Sequence, residues 1–132
     1  MSGACIASEN NLQRIPQGTR TFIFCGCLAA AFVTTHLPPS DTSIPRVSDK
    51  PLHFLVFIVI GGLLAWRNSE GSDRKAWSML PPAFAALGLY AAIDELTQPP
   101  FGRDCEFYDW LADCGGGAAG LILGALVAGR AR

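Results

Sequence analysis

Four stretches of this chain carry no charge at all, and they leave its fold little freedom. Twenty uncharged residues separate Arg20 from Asp41, sixteen separate Lys50 from Arg67, eighteen separate Lys75 from Asp94, and sixteen separate Asp113 from Arg130. A helix of about 20 mainly apolar residues crosses the ~30 Å of bilayer hydrocarbon, and roughly 17 to 25 suffice. The first and third windows qualify directly, while the second and fourth are slightly short, which puts Lys50 and Asp113 at the headgroup edge. Four such runs in 132 residues, 50% of them hydrophobic and 16% charged, would leave a soluble bundle too little polar surface to cover them. The expected fold is therefore all-α: a polytopic membrane protein, a bundle of four transmembrane helices over residues 20–129 behind a mobile tail over residues 1–19. A cleaved signal peptide over residues 1–35 is the alternative, opposed by the lack of a small-x-small site after "CLAAAFV".

The basic residues set an orientation. Arg14 and Arg20 precede the first window, Arg67, Arg74 and Lys75 follow the second, and Arg130 and Arg132 follow the fourth, leaving Arg46, Lys50 and Arg103 for the other two loops. This seven-to-three bias predicts both termini and the middle loop in the cytoplasm. The net charge of −1 says little about partners; the bilayer itself is the expected one, and no nucleic acid is expected. The cysteines form no metal-binding pattern. Cys25 and Cys27 read as packing residues inside the first span. Cys105 and Cys114 both fall toward the outer side, where a disulfide is permitted, but a spacing of nine does not establish one.

Span one is expected over about Thr21 to Leu37, stopped by "PPSD", and span two over about Pro51 to Trp66, with Pro51 in the favoured first turn. Span three starts near Pro81 and Pro82 and runs to Asp94 before Pro99 and Pro100 end it. In span four, Gly116, Gly120, Gly124 and Ala128 recur every four residues, a small-residue stripe that lets another helix approach closely. A membrane-protein partner docking on the Gly116/Gly120/Gly124 face is one use for it.

Polar residues collect at the other ends of these spans. Lys50 and His53 are three apart, Glu95 and Gln98 three apart, Asp94 and Gln98 four apart, and Asp109 and Asp113 four apart, so each pair shares a helix face. Arg103 lies in the loop between the last two helices. Ionisable groups at membrane depth cost a few kcal/mol each and usually pair, face the bundle interior or serve a site. A helix-locking ion cluster, with Asp109 as a cap of span four, is the structural alternative.

The segments "DKPLHF" (Asp49 to Phe54), "DELTQ" (Asp94 to Gln98), "FGR" (Phe101 to Arg103) and "DWLADCGGGAAG" (Asp109 to Gly120) resemble the signature of VanZ-like membrane proteins over about residues 20 to 128. The matching positions are Lys50, His53, Asp94, Glu95, Gln98, Arg103, Asp109 and Asp113. Two departures stand out: the loop from Gln98 to Arg103 is one residue shorter than in many members, and Asp113 stands where Asn is common. The resemblance implies a small multi-pass protein of the bacterial cytoplasmic (inner) membrane, in a family named for a member associated with glycopeptide (teicoplanin) resistance. It brings no settled biochemical activity.

The functional expectation is an outer-face site that binds or acts on an anionic envelope lipid or lipid-linked precursor. In it Lys50 and Arg103 hold the headgroup, Glu95 and His53 form the candidate acid-base pair, and Asp94, Gln98, Asp109 and Asp113 orient them. Binding alone needs no such pair, and no Ser or Cys nucleophile neighbours His53 in sequence, so enzymatic activity stays open. The competing expectation is a non-catalytic structural or assembly protein of the cell envelope. No cofactor is expected; a divalent metal held by His53 and the carboxylates is a weaker alternative, since no HExxH-type spacing is present and two cations lie near.

Overall fold

The computed structural model describes residues 15–37, 50–69 and 77–130. The N-terminal tail to Arg14, the "PPSD" stop from Pro38, Arg46, Asp49, and Arg74 and Lys75 of the middle loop lie outside the described residues. Within them the chain is all-helical: α1 (Gln17–Thr35), α2 (Lys50–Asn68), α3 (Leu80–Thr97), a 3-10 turn (Pro99–Phe101) and α4 (Phe107–Arg130). No strand occurs among the described residues.

Local sequence explains the ends. Two prolines within the first three residues of α3 fall where the helix has no amide to lose, and Pro99 and Pro100 convert its exit into the 3-10 turn. Gly102 closes that turn at φ 75, a left-handed conformation that other residues adopt only under strain.

Three helices, Gln17–Thr35, Lys50–Asn68 and Phe107–Ala128, are long and apolar enough to cross a membrane, with mean hydropathy of 1.3, 1.4 and 1.7. The expectation of four such spans is corrected: α3 falls short because its 18 residues include two prolines and the carboxylates of Asp94 and Glu95. Large apolar side chains on every helix face outward, among them Phe22 (80% exposed), Leu89 (64%) and Val127 (65%). A soluble fold avoids so broad an apolar exterior, and a lipid environment requires it.

Each helix runs antiparallel to the next. At one end, Arg20 of α1 donates from Nη1 to the Trp66 carbonyl of α2 (3.3 Å) and lies 5.0 Å over the Trp66 ring, while Arg67 Nε donates to Thr21 Oγ1 (3.0 Å). The core between the ends is built from Ala31, Ile60, Leu64, Ala65, Ala83, Leu87 and Leu121.

The closest pair is α2 with α4. A Cβ added at Gly116 would collide with the Phe54 carbonyl, one at Gly120 with the Ile58 carbonyl, and one at Gly61 with the Gly117 carbonyl. The glycine stripe of α4 is thus filled by α2 of the same chain, and the expectation that its face docks a partner is corrected: backbone-to-backbone packing already occupies it. Cys25, Cys27, Cys105 and Cys114 are free thiols.

Candidate functional site

At the opposite end from Arg20 and Arg67, all four helices deliver polar side chains to one cluster. Its members are buried: Asp113 is 0% exposed, Asp94, Glu95 and Gln98 2%, His53 6%, and His36 and Asp109 7%. Burying four carboxylates is expensive unless each is partnered.

The pairs expected from helical spacing do meet. Gln98 at the end of α3 bridges both acids before it, donating from Nε2 to Glu95 Oε1 (3.1 Å) and to Asp94 Oδ2 (3.4 Å). Glu95 Oε2 accepts the backbone amide of Glu106 (3.1 Å), which ties α3 to the start of α4. Asp94 points the other way, where its Oδ1 accepts from Thr35 Oγ1 of α1 (3.0 Å) and lies 3.8 Å from His36 Nδ1.

His53 faces α4 more closely than α3. Its Nδ1 donates to Asp113 Oδ1 at 3.0 Å, while Glu95 Oε1 stands 3.9 Å away. An ionised carboxylate can only accept, so this bond puts a proton on Nδ1. The expected His53–Glu95 pair is therefore in contact range without a hydrogen bond, and Asp113 is the group that orients the imidazole.

Lys50, 42% exposed at its side chain, sits at the rim. Its Nζ donates to Glu106 Oε2 (2.8 Å) and forms an ion pair with Asp109 Oδ1 (3.2 Å) that lacks hydrogen-bond geometry. Asp109 is the third residue of α4 rather than its cap, since the helix begins at Phe107. Two buried oxygens in the cluster have no hydrogen-bond partner: Asp109 Oδ1 and Asp113 Oδ2.

A cleft of about 90 Å³ opens beside the cluster between α1, α2 and α3. Ala31, Leu52, Val56 and Phe57 make its apolar wall, and Thr34, Thr35, His53, Tyr90, Asp94 and Arg103 its polar one. Of the expected site residues, His53, Asp94 and Arg103 thus line one cavity, while Lys50, Glu95, Gln98, Asp109 and Asp113 do not line it.

No family model, curated protein or solved structure matches this chain. The cluster must be read from its own geometry.

Four contributors escaped the sequence reading. His36 stacks on Phe32 (centroids 3.9 Å apart) and places Nε2 2.9 Å from Thr97 Oγ1, Thr35 supplies a hydroxyl to Asp94, Glu106 holds Lys50, and Tyr90 lines the cleft. His36 and Thr35 end an apolar run as Lys50 and His53 open one, and that symmetry was the available signal.

Proposed function

We propose that this protein is an integral membrane protein that binds an anionic, hydroxyl-bearing amphiphile, a lipid or lipid-linked precursor, at the outer face of the membrane. The observation that carries this reading is the two-sided cleft. Its apolar wall suits a chain or the start of one, and its polar end sets the planar cation of Arg103, suited to an anionic headgroup, beside the Thr34 and Thr35 oxygens, which donate within the protein and can still accept from a ligand hydroxyl.

Arg20 and Arg67 at the far end support an inward orientation for that end and hence an outward one for the cleft. Convergence of His53, Asp94, Glu95, Gln98, Asp109 and Asp113 into one cluster supports the VanZ-like resemblance that named them together. A role as a structural protein docked through the glycine face loses its main support, because α2 occupies that face.

The test is lipid binding by the purified chain in detergent, with phosphatidylglycerol against phosphatidylcholine, followed by native mass spectrometry. Wild type is expected to retain the anionic lipid, and Arg103→Ala to hold it about tenfold less tightly, the loss of one charge-assisted contact. Equal retention of both lipids by wild type, or an Arg103→Ala variant that binds like wild type, would remove this function.

A further inference from the structure

We propose that the buried cluster beside the cleft is a divalent metal site, with His53, Glu95 and Asp109 as its ligands and Zn2+ or Mn2+ as its occupant. One ring nitrogen of His53 and one carboxylate oxygen each of Glu95 and Asp109 lie within 4.8 Å of one another, and all three residues are buried. An ion central to a triangle of that size sits no more than roughly 2.8 Å from each donor, and small rotations of the side chains close this to the ~2.0–2.2 Å of a bond.

Proximity of acids alone would not make a site. The independent observation is Asp113 Oδ2, an oxygen with no hydrogen-bond partner on a wholly buried side chain that stands against His53, while Asp109 Oδ1 of the triad has the Lys50 ammonium at 3.2 Å but no hydrogen bond. Folded proteins pair nearly all such atoms, and an oxygen buried in a fully enclosed carboxylate needs a cation or a donor to offset its lost hydration.

The charge count points the same way. Glu95, Asp109 and Asp113 bring three carboxylates together. The cation nearest Asp109 is Lys50, shared between an ion pair to Asp109 (3.2 Å) and a hydrogen bond to Glu106 (2.8 Å). A divalent ion would supply the charge and the missing coordination at once.

The surroundings of His53 are those of a metal-binding imidazole. With the ion on Nε2, the Nδ1 bond to Asp113 would be the carboxylate–histidine contact that fixes ring orientation and raises ligand basicity. Gln98 and the Glu106 amide hold Glu95 in the same manner. One imidazole with two carboxylates favours Zn2+, a borderline ion, with the harder Mn2+ second, over Mg2+, which prefers oxygen alone and keeps its waters.

Lys50 is then a competitor. It stays with Glu106 when an ion takes Asp109, so its removal should tighten binding. The ion site stands apart from the lipid reading, since it is measured on protein without added lipid and its ligands other than His53 do not line the cleft.

The experiment uses the full chain purified in detergent, stripped with chelator, and dialysed against ZnCl2, MnCl2 or MgCl2. Metal content is measured by mass spectrometry and affinity by calorimetry. Wild type is expected to take up one equivalent of Zn2+ or Mn2+ and to hold it at least about tenfold more tightly than Mg2+. Asp109→Asn should weaken it by about tenfold or more, and Lys50→Met should bind several-fold more tightly than wild type, a gain that misfolding does not produce. Less than roughly a tenth of an equivalent on wild type, no preference over Mg2+, or unchanged affinity in both variants would overturn the site.

Discussion

Gly120→Leu is expected to prevent this chain from reaching its folded bundle. A Cβ at that position would run into the Ile58 carbonyl and lie 2.9 Å from the Gly62 amide nitrogen, both of them backbone atoms of α2. Side chains can rotate away from an intruder, but a helix backbone moves only by shifting the whole element. Inserting extra carbons into a packed interface costs about 1–3 kcal/mol where neighbours can adjust, and four carbons against rigid backbone cost more than that. A domain with roughly 5–15 kcal/mol in hand cannot spare such a loss. Gly120→Ala should sit between, with a lowered but measurable thermal midpoint. Gly26→Ala is the matched control, because a Cβ there meets nothing within 4 Å on α1 and should stabilise the helix by about 0.5–1 kcal/mol. Thermal unfolding in detergent, read by tryptophan fluorescence and by size-exclusion profile, separates the three. A Gly120→Leu protein that is monodisperse with a wild-type midpoint would show that α2 and α4 do not cross at this point.

The same glycine shows where sequence reasoning stops. Spacing of Gly116, Gly120 and Gly124 tells which face of α4 is small, and nothing in it tells whether the helix that exploits the face belongs to this chain or another. The spans themselves were legible because charge is absent from long windows: α1 was expected over about Thr21 to Leu37 and runs Gln17–Thr35, and α2 begins at Lys50 beside the expected Pro51. Local pairing was legible too, since Gln98 meets Asp94 and Glu95 by the geometry of one helix. Pairing between helices was not. Whether His53 turns to Glu95 or to Asp113 depends on the rotation of α2 against α3 and α4, which the glycine contacts fix and a single sequence does not reveal. His36 was missed for a simpler reason, since it ends an apolar window counted by charge, in which a histidine does not register. The shortfall of α3 has the opposite origin: Asp94 and Glu95, the residues that mark the site, are also those that lower its hydropathy.

His53→Leu should cost the protein about 1.5–3 kcal/mol, the penalty for removing the hydrogen-bond donor of a buried carboxylate. Asp113 is wholly buried, its Oδ2 already lacks a hydrogen-bond partner, and its Oδ1 accepts from His53 Nδ1. Without the imidazole the carboxylate would lose that bond as well. The informative variant is the double one, His53→Leu with Asp113→Leu. Replacing both members of a buried pair by apolar residues is often neutral or stabilising, so the double variant should recover most of what the single one loses, with a coupling of about 1–3 kcal/mol in the mutant cycle. Midpoints measured in the same detergent decide the matter. Recovery would mean that the polar pair is not needed for folding and that its retention serves the site, and the recovered protein should then take up no Zn2+ or Mn2+. A double variant as unstable as His53→Leu alone would instead make the cluster the lock that holds α2, α3 and α4 in register, and its polar groups would need no ligand to explain them.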